Sequence, residues 1–219
     1  MRSRDNFAGC NFYTIFTLHL NYSLNGYADC AAVSIGDAFR KIRHGEADYM
    51  LAGGCDYATN EIGYTTLKKF GILDNEGDNF KVSPFDKSAS GVAPGGGGCF
   101  MMLEDLDTAL QRNAKIYGEV VGYSNITHGK FAAKEFGDGE DVSDAILSAV
   151  EEAKVDISDI DFIDLSATSC PKLDLEEING VRKALKGAKD PKKCKVTGFA
   201  SYTGYTGVAN EGIGSVIGV

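Results

Sequence analysis

Apolar residues recur at two spacings along the chain, and the change from one spacing to the other lays out the elements. Ala32, Ile35, Phe39 and Ile42 recur at three and four residues, on one face of a helix over Asp29 to Arg43 that Gly45 ends. Val142, Ala145, Ile146, Ala149, Val150 and Ala153 do the same over Asp141 to Val155, as do Leu175, Ile178 and Leu185 over Leu173 to Leu185. Further helices are expected over Asn60 to Phe70, Glu104 to Gln111 and from Gly207 onward. Shorter runs rich in β-formers read as strands: His19 to Leu24, Asp48 to Ala52, Cys99 to Leu103, Lys115 to Tyr123, Phe162 to Leu165 and a start at Lys195 to Gly198.

Strands alternating with helices predict an α/β architecture. Asp74 to Gly98 reads as loop, and glycines and charges between Gly129 and Glu140 mark a boundary. No internal repeat is visible. The chain has 219 residues, 27 of them glycine and only 4 proline, which suggests tight turns in a compact fold and not a linker.

The net charge of −9 disfavours a nucleic-acid partner. Arg40 to His44, Lys68-Lys69 and Lys192 to Lys195 are local basic groups, read first as solvated charged faces. No apolar run reaches membrane-spanning length, so no membrane partner is expected. The cysteines at 10, 30, 55, 99, 170 and 194 form no C-x-x-C pair, which leaves a metal site without support. Reduced thiols in a cytoplasmic protein are the expectation.

Generic catalytic motifs give little. Gly95 to Gly98 run into a strand and lack the lysine of a phosphate loop. No nucleophile elbow of the G-x-S-x-G kind is present. His19, His44 and His128 stand at no metal-ligand spacing. Cys30 falls in the first turn of a predicted helix, where the backbone dipole favours a thiolate, although a small buried cysteine is the commoner reading.

Four blocks, in order, carry a resemblance. They are "NYSLNGYADCAAVSIGDAFRKIRHGEADYMLAGG" from Asn21, "FKVSPFDKSASGVAPGGGGCFMMLEDLDTALQRNAKIYGEVVGYS" from Phe80, "DFIDLSATSCPKLDLEEI" from Asp161 and "VTGFASYTGYTGVANEG" from Val196. Together they resemble the β-ketoacyl-acyl carrier protein synthases, the condensing enzymes of fatty acid and polyketide assembly. The resemblance implies a thiolase-like layered αβαβα fold, incomplete at both ends, with one half over 1–138 and the other over 139–219. It implies no cofactor.

The chemistry that the resemblance implies is a decarboxylative condensation. A cysteine at a helix start takes the acyl group, two histidines and a lysine assist, and backbone amides hold the oxyanion. At the corresponding positions this chain has Ala28, Ser166, Ala200 and Tyr205. Alanine has no nucleophilic atom, and neither serine nor tyrosine titrates near neutrality as histidine does. Cys30 is an alternative nucleophile only with a two-residue gap in a continuous match. Pro171, Asp174, Thr203, Gly204 and Gly207 keep the framework. A framework kept with its chemistry replaced is similar to the chain-length factors, which partner an active synthase. The expected partners are an active ketoacyl synthase subunit in a mixed dimer, or a second copy of this chain, through the His19 to Leu24 strand, and an acyl carrier protein. A truncated member without independent function and an active enzyme using Cys30 are the competing readings.

Overall fold

The computed structural model describes residues 13–16, 21–24, 30–74, 82–127 and 138–219. In chain order the elements are β1 (Tyr13–Phe16), β2 (Asn21–Leu24), α1 (Cys30–Arg43), β3 (Tyr49–Tyr57), α2 (Glu61–Phe70), β4 (Gly96–Glu104) and α3 (Leu106–Gln111). Then follow α4 (Glu140–Ala153), β5 (Phe162–Leu165), α5 (Pro171–Ala184), β6 (Lys195–Gly198), α6 (Ala200–Thr203) and α7 (Asn210–Gly218). A single turn of 3-10 helix, Gly207–Ala209, leads into α7.

Two sheets form. β2, β1, β3 and β4 lie in that order, each pair antiparallel, with β2 at one edge. β5 and β6 run parallel, with Leu165 opposite Gly198. Between the sheets lie α1 and α7. Ala38 of α1 packs on Met50 and Ala52 of β3, all three fully buried. Ser34, also buried, ties the two elements by polar bonds: its Oγ donates to the Gly53 carbonyl at 3.0 Å and accepts from the Gly53 N–H at 2.7 Å. In β5 the alternation of a strand is put to use on both faces. Ile163 and Leu165 pack with Ile146 of α4 and with Ile178 and Val181 of α5. Asp164 points the other way, against Gly214 of α7. The result is sheet, helix, sheet, helix: an α/β thiolase-like layered fold.

Most elements sit within a few residues of their sequence-predicted bounds. Of the His19 to Leu24 strand, Asn21–Leu24 is observed, and His19 lies outside the described residues. Asn60 caps α2, its Oδ1 accepting from the Gly63 N–H at 2.9 Å.

Three expectations are corrected. Gly96, Gly97 and Gly98 are not loop but the first residues of β4, paired with Tyr57, Asp56 and Cys55. The lack of a side chain lets another segment close on this stretch: a Cβ on Gly97 would meet Ile213 Cδ1 at 3.2 Å. Lys115 to Tyr123 is extended but joins no ladder among the described residues. The Tyr123 N–H donates to the Glu152 carboxylate at 2.7 Å, and Gly122 lies against the α4 backbone at Ala149. β-forming side chains do not make a strand without a partner. Finally, α6 forms at Ala200–Thr203, where no helix is foreseen.

The basic groups serve the fold. Arg40 and Arg43 of α1 both reach Glu152 of α4, at 3.8 and 3.5 Å, and Lys193 pairs with Asp161 at 2.8 Å. Among the described residues no helix is long and apolar enough to cross a membrane.

Candidate functional site

The sequence singles out one helix start and two loops. At the helix start, Ala28 lies outside the described residues. Cys30 is the first residue of α1, buried, in no disulfide, and packed against Val208. The neighbourhood is tight and made of small groups. A Cβ on Gly212 of α7 would come within 2.3 Å of Cys99 Sγ and 2.9 Å of Ala31 Cβ. Burial pushes the Cys99 thiol up, away from thiolate.

The first loop leaves β5 at Leu165 and enters α5 at Pro171. Ala167 and Ser169 both take left-handed backbone, φ +46° and +67°, which residues bearing a Cβ rarely adopt. Two carboxylates from the first two turns of α5 hold this loop. Glu177 Oε1 accepts from the Ser166 N–H at 2.7 Å and Oε2 from the Ala167 N–H at 3.1 Å. Asp174 Oδ1 accepts from Thr168 N–H at 2.9 Å and from Thr168 Oγ1 at 3.0 Å. Its Oδ2 accepts from the Phe85 N–H at 3.0 Å, and Phe85 is itself left-handed at φ +63°. The Ser83 N–H donates to Ser169 Oγ at 3.0 Å. The serine-proline-phenylalanine segment and the Ser166–Ser169 loop are thus locked to each other through α5.

Ser166, which the resemblance sets at the first histidine position, donates its hydroxyl to Glu211 Oε1 of α7 at 3.3 Å. Asn210 Nδ2 donates to the Ser166 carbonyl at 3.4 Å. Ala200, which the resemblance sets at the lysine position, is buried at the start of α6 and offers no polar side-chain atom. Tyr205, which the resemblance sets at the second histidine position, has backbone bonds on both sides: its N–H donates to the Ala93 carbonyl at 2.7 Å, and its carbonyl accepts from Gly95 at 2.8 Å. Its side chain packs against the Leu67, Ile72, Val92 and Cys170 cluster. Structure therefore links the Ser166 loop to α7, while Tyr205 turns toward the cluster under α2. His44 is exposed just past the end of α1, and His19 and His128 lie outside the described residues.

What motif reading missed is a set of acids around α7. Burial raises Glu177 to about 7, opposed by its two backbone bonds and reinforced by the negative charges of Asp174 and Asp164. Burial raises Asp164 to about 6, against the bond from Leu165. Asp164 Oδ1 is buried without a hydrogen-bond partner. Asp56 of β3 is raised as well, again by burial, against bonds from Val208 and Tyr57. Two signals were available: an acid between Ile163 and Leu165 in a buried strand, and Asp174 and Glu177 three apart on one helix face. Chemically, this environment stores protons and accepts hydrogen bonds. The amides of Ser166, Ala167 and Thr168 are committed to carboxylates and so do not point at a developing oxyanion. Among the described residues no group of acids, histidines and cysteines forms a metal site.

Comparison with known proteins follows the same lines. The model of the β-ketoacyl synthase N-terminal domain matches residues 27–109, and that of the C-terminal domain matches residues 117–219. The chain is 34% identical over 160 residues to 3-oxoacyl-acyl-carrier-protein synthase 2 of Synechocystis sp., covering 71% of this chain and 38% of the relative. To the enzyme of the same name from Vibrio cholerae it is 32% identical over 174 residues, covering 78% and 42%. The chain thus spans about two fifths of the length of these curated relatives. Among solved structures, the ishigamide ketosynthase/chain length factor superposes with a TM-score of 0.76 at 26% identity, covering 90% of this chain and 46% of that one. A type II polyketide synthase acyl-carrier protein in complex with its ketosynthase, bound to the hexaketide, gives 0.75 at 27% identity, covering 86% and 47%. With both halves of the family matched across the same four blocks and the layered fold in place, the chain belongs to the β-ketoacyl synthase family.

Proposed function

We propose that this chain serves fatty acid or polyketide biosynthesis as a non-catalytic, chain-length-factor-like partner of an active 3-oxoacyl-acyl-carrier-protein synthase. The observation that carries the reading is the set of substitutions at the family's reactive positions, set in an intact frame. Ser166 gives its hydroxyl to Glu211, Ala200 is a buried methyl, and Tyr205 lies against an apolar cluster. None of the three supplies the imidazole or ammonium that the reaction needs. With Ala28 at the nucleophile position, no acyl-enzyme forms there.

Residues 1–138 and 139–219 are read as the two halves of the fold, both in the cytoplasm. The partner docks along β2, the edge strand of the first sheet, and a mixed dimer with a competent synthase is preferred over a homodimer. An acyl carrier protein delivers substrate to the partner. A solved relative described as a ketosynthase/chain length factor, and another as a carrier protein in complex with its ketosynthase, support this assignment.

The test is co-expression with a cognate synthase and carrier protein. Co-purification with the synthase, and a change in product length when this chain is omitted, are expected. Malonyl decarboxylation by the purified chain alone, lost together with iodoacetamide labelling in Cys30→Ala, would instead establish an active enzyme using Cys30. Failure to fold even beside the synthase would favour a fragment without independent function.

A further inference from the structure

The carboxylate of Glu177 has an unusual task, independent of the role proposed above. Its two oxygens accept from two consecutive backbone amides, those of Ser166 and Ala167. The ionised form accepts both best, because protonation turns one oxygen into a hydroxyl, a much weaker acceptor. The longer of the two bonds, 3.1 Å, goes to Ala167, whose left-handed backbone needs that restraint. Those two bonds favour ionisation, but burial outweighs them and the charges nearby add to it. The charges acting on Glu177 are Asp174, on its own helix, and Asp164, on β5, both negative. On the α7 side Glu211 accepts from the hydroxyl of Ser166, the residue that Glu177 also holds.

Ala167 also forms a wall. A cavity of about 400 Å³ is lined by Pro84, Phe85, Leu165, Ala167, Ile178 and Ser201 among others. Phe85, another lining residue, is tied to Asp174, one turn before Glu177. The loop that Glu177 restrains therefore bounds an apolar cavity.

We propose that Glu177 is a proton-operated latch: ionised, it holds the amides of Ser166 and Ala167 and keeps the loop closed; protonated, it releases Ala167 and loosens that cavity wall. Burial places the titration of this carboxyl at about 7, so the latch works around neutrality.

The experiment is amide hydrogen exchange of the full chain, corrected for intrinsic rates, between about pH 8 and about pH 6. Protection of Ala167 is expected to fall about tenfold or more toward the lower pH, while amides in β3 and α1 hold theirs. In Glu177→Gln, one side-chain oxygen remains as acceptor and the amide nitrogen faces an N–H, so Ala167 is expected to be poorly protected at both pH values. Unchanged protection in the unsubstituted chain overturns the proposal, and so does an equal pH response in Glu177→Gln, which would place the titrating group elsewhere. Should the variant fail to fold, the carbon-13 carboxyl signal of Glu177 in the unsubstituted chain decides. A midpoint close to neutrality supports the latch, and one in the ordinary glutamate range overturns it.

Discussion

The start of α1 and the loop after β5 lie on two sides of α7, and different forces hold them. At the helix start the contacts are methyl, thiol and glycine: Cys30 on Val208, and Ala31 and Cys99 against Gly212. At the loop they are carboxylates: Asp174 and Glu177 on the amides of Ser166, Ala167, Thr168 and Phe85. The family does its chemistry at both places. The packed end resists added volume. The polar end tolerates some change of shape but depends on every acceptor remaining charged and in place.

The largest expected effect breaks the polar end. Asp174→Ala strands the buried Thr168 N–H and hydroxyl and the Phe85 N–H, and releases the left-handed Phe85 from its restraint. A loss of about 4 kcal/mol in unfolding free energy is expected, measured by urea titration. Asp174→Asn, which keeps one acceptor oxygen, is expected to lose about half of that. Next comes the packed end. Gly212→Val forces a branched side chain where a single Cβ already meets Cys99 Sγ at 2.3 Å. A loss of about 3 kcal/mol is expected, because α7 must move off β4 and α1 together. Equal losses from Gly212→Val and from a substitution on the exposed face of α7 would show that the packing at this end is not limiting.

Protons give the third contrast. Glu177 in the folded chain sits at about 7 against an ordinary 4.5, and Asp164 at about 6 against 3.8. Between those values the folded state binds protons that the unfolded state has released. Stability therefore falls as the pH rises from about 4 to about 7 and levels off above. The Glu177 share is on the order of 2 to 3 kcal/mol, read from urea midpoints at successive pH values. The signs separate two scales: lowering the pH toward 5 strengthens the fold as a whole while it weakens the bond to Ala167. Gly212→Val is expected to run parallel to the unsubstituted chain across this window, and Glu177→Gln to lose the Glu177 share of the slope while that of Asp164 remains.

The packed end was the more legible of the two in the sequence. Ala32, Ile35, Phe39 and Ile42 at helical spacing give α1, and the apolar run before Gly53 gives β3, because both elements bury a continuous face. Phe162 to Leu165 was found whole for the same reason, although its Asp164 belongs to the polar end. The Gly96 to Gly98 segment hid its strand, since glycine carries no alternating side chain to read. Lys115 to Tyr123 erred in the other direction: its residues suit a strand, but strand formation depends on a partner that propensity does not report. The family positions Ser166, Ala200 and Tyr205 could be named from motifs. That Tyr205 packs with Leu67, Val92 and Cys170, and that Glu177, Asp164 and Glu211 gather near the loop, depends on contacts between elements. No local pattern encodes those.

The smallest expected effect is the most discriminating for function. Ser166→Ala removes one hydroxyl that donates to Glu211 at 3.3 Å, in a partly buried setting where such a bond contributes about 0.5 to 1 kcal/mol. The Ser166 N–H stays on Glu177 and the carbonyl stays on Asn210, so the loop keeps its path. If Ser166 is only a link between β5 and α7, the substitution shifts stability by that amount and leaves the activity of a co-purified synthase unchanged. If the hydroxyl does work for the reaction, activity falls while stability barely moves. The same substitution therefore asks whether the polar end is architecture or chemistry, and the architecture answer is expected because each partner of Ser166 already belongs to the fold.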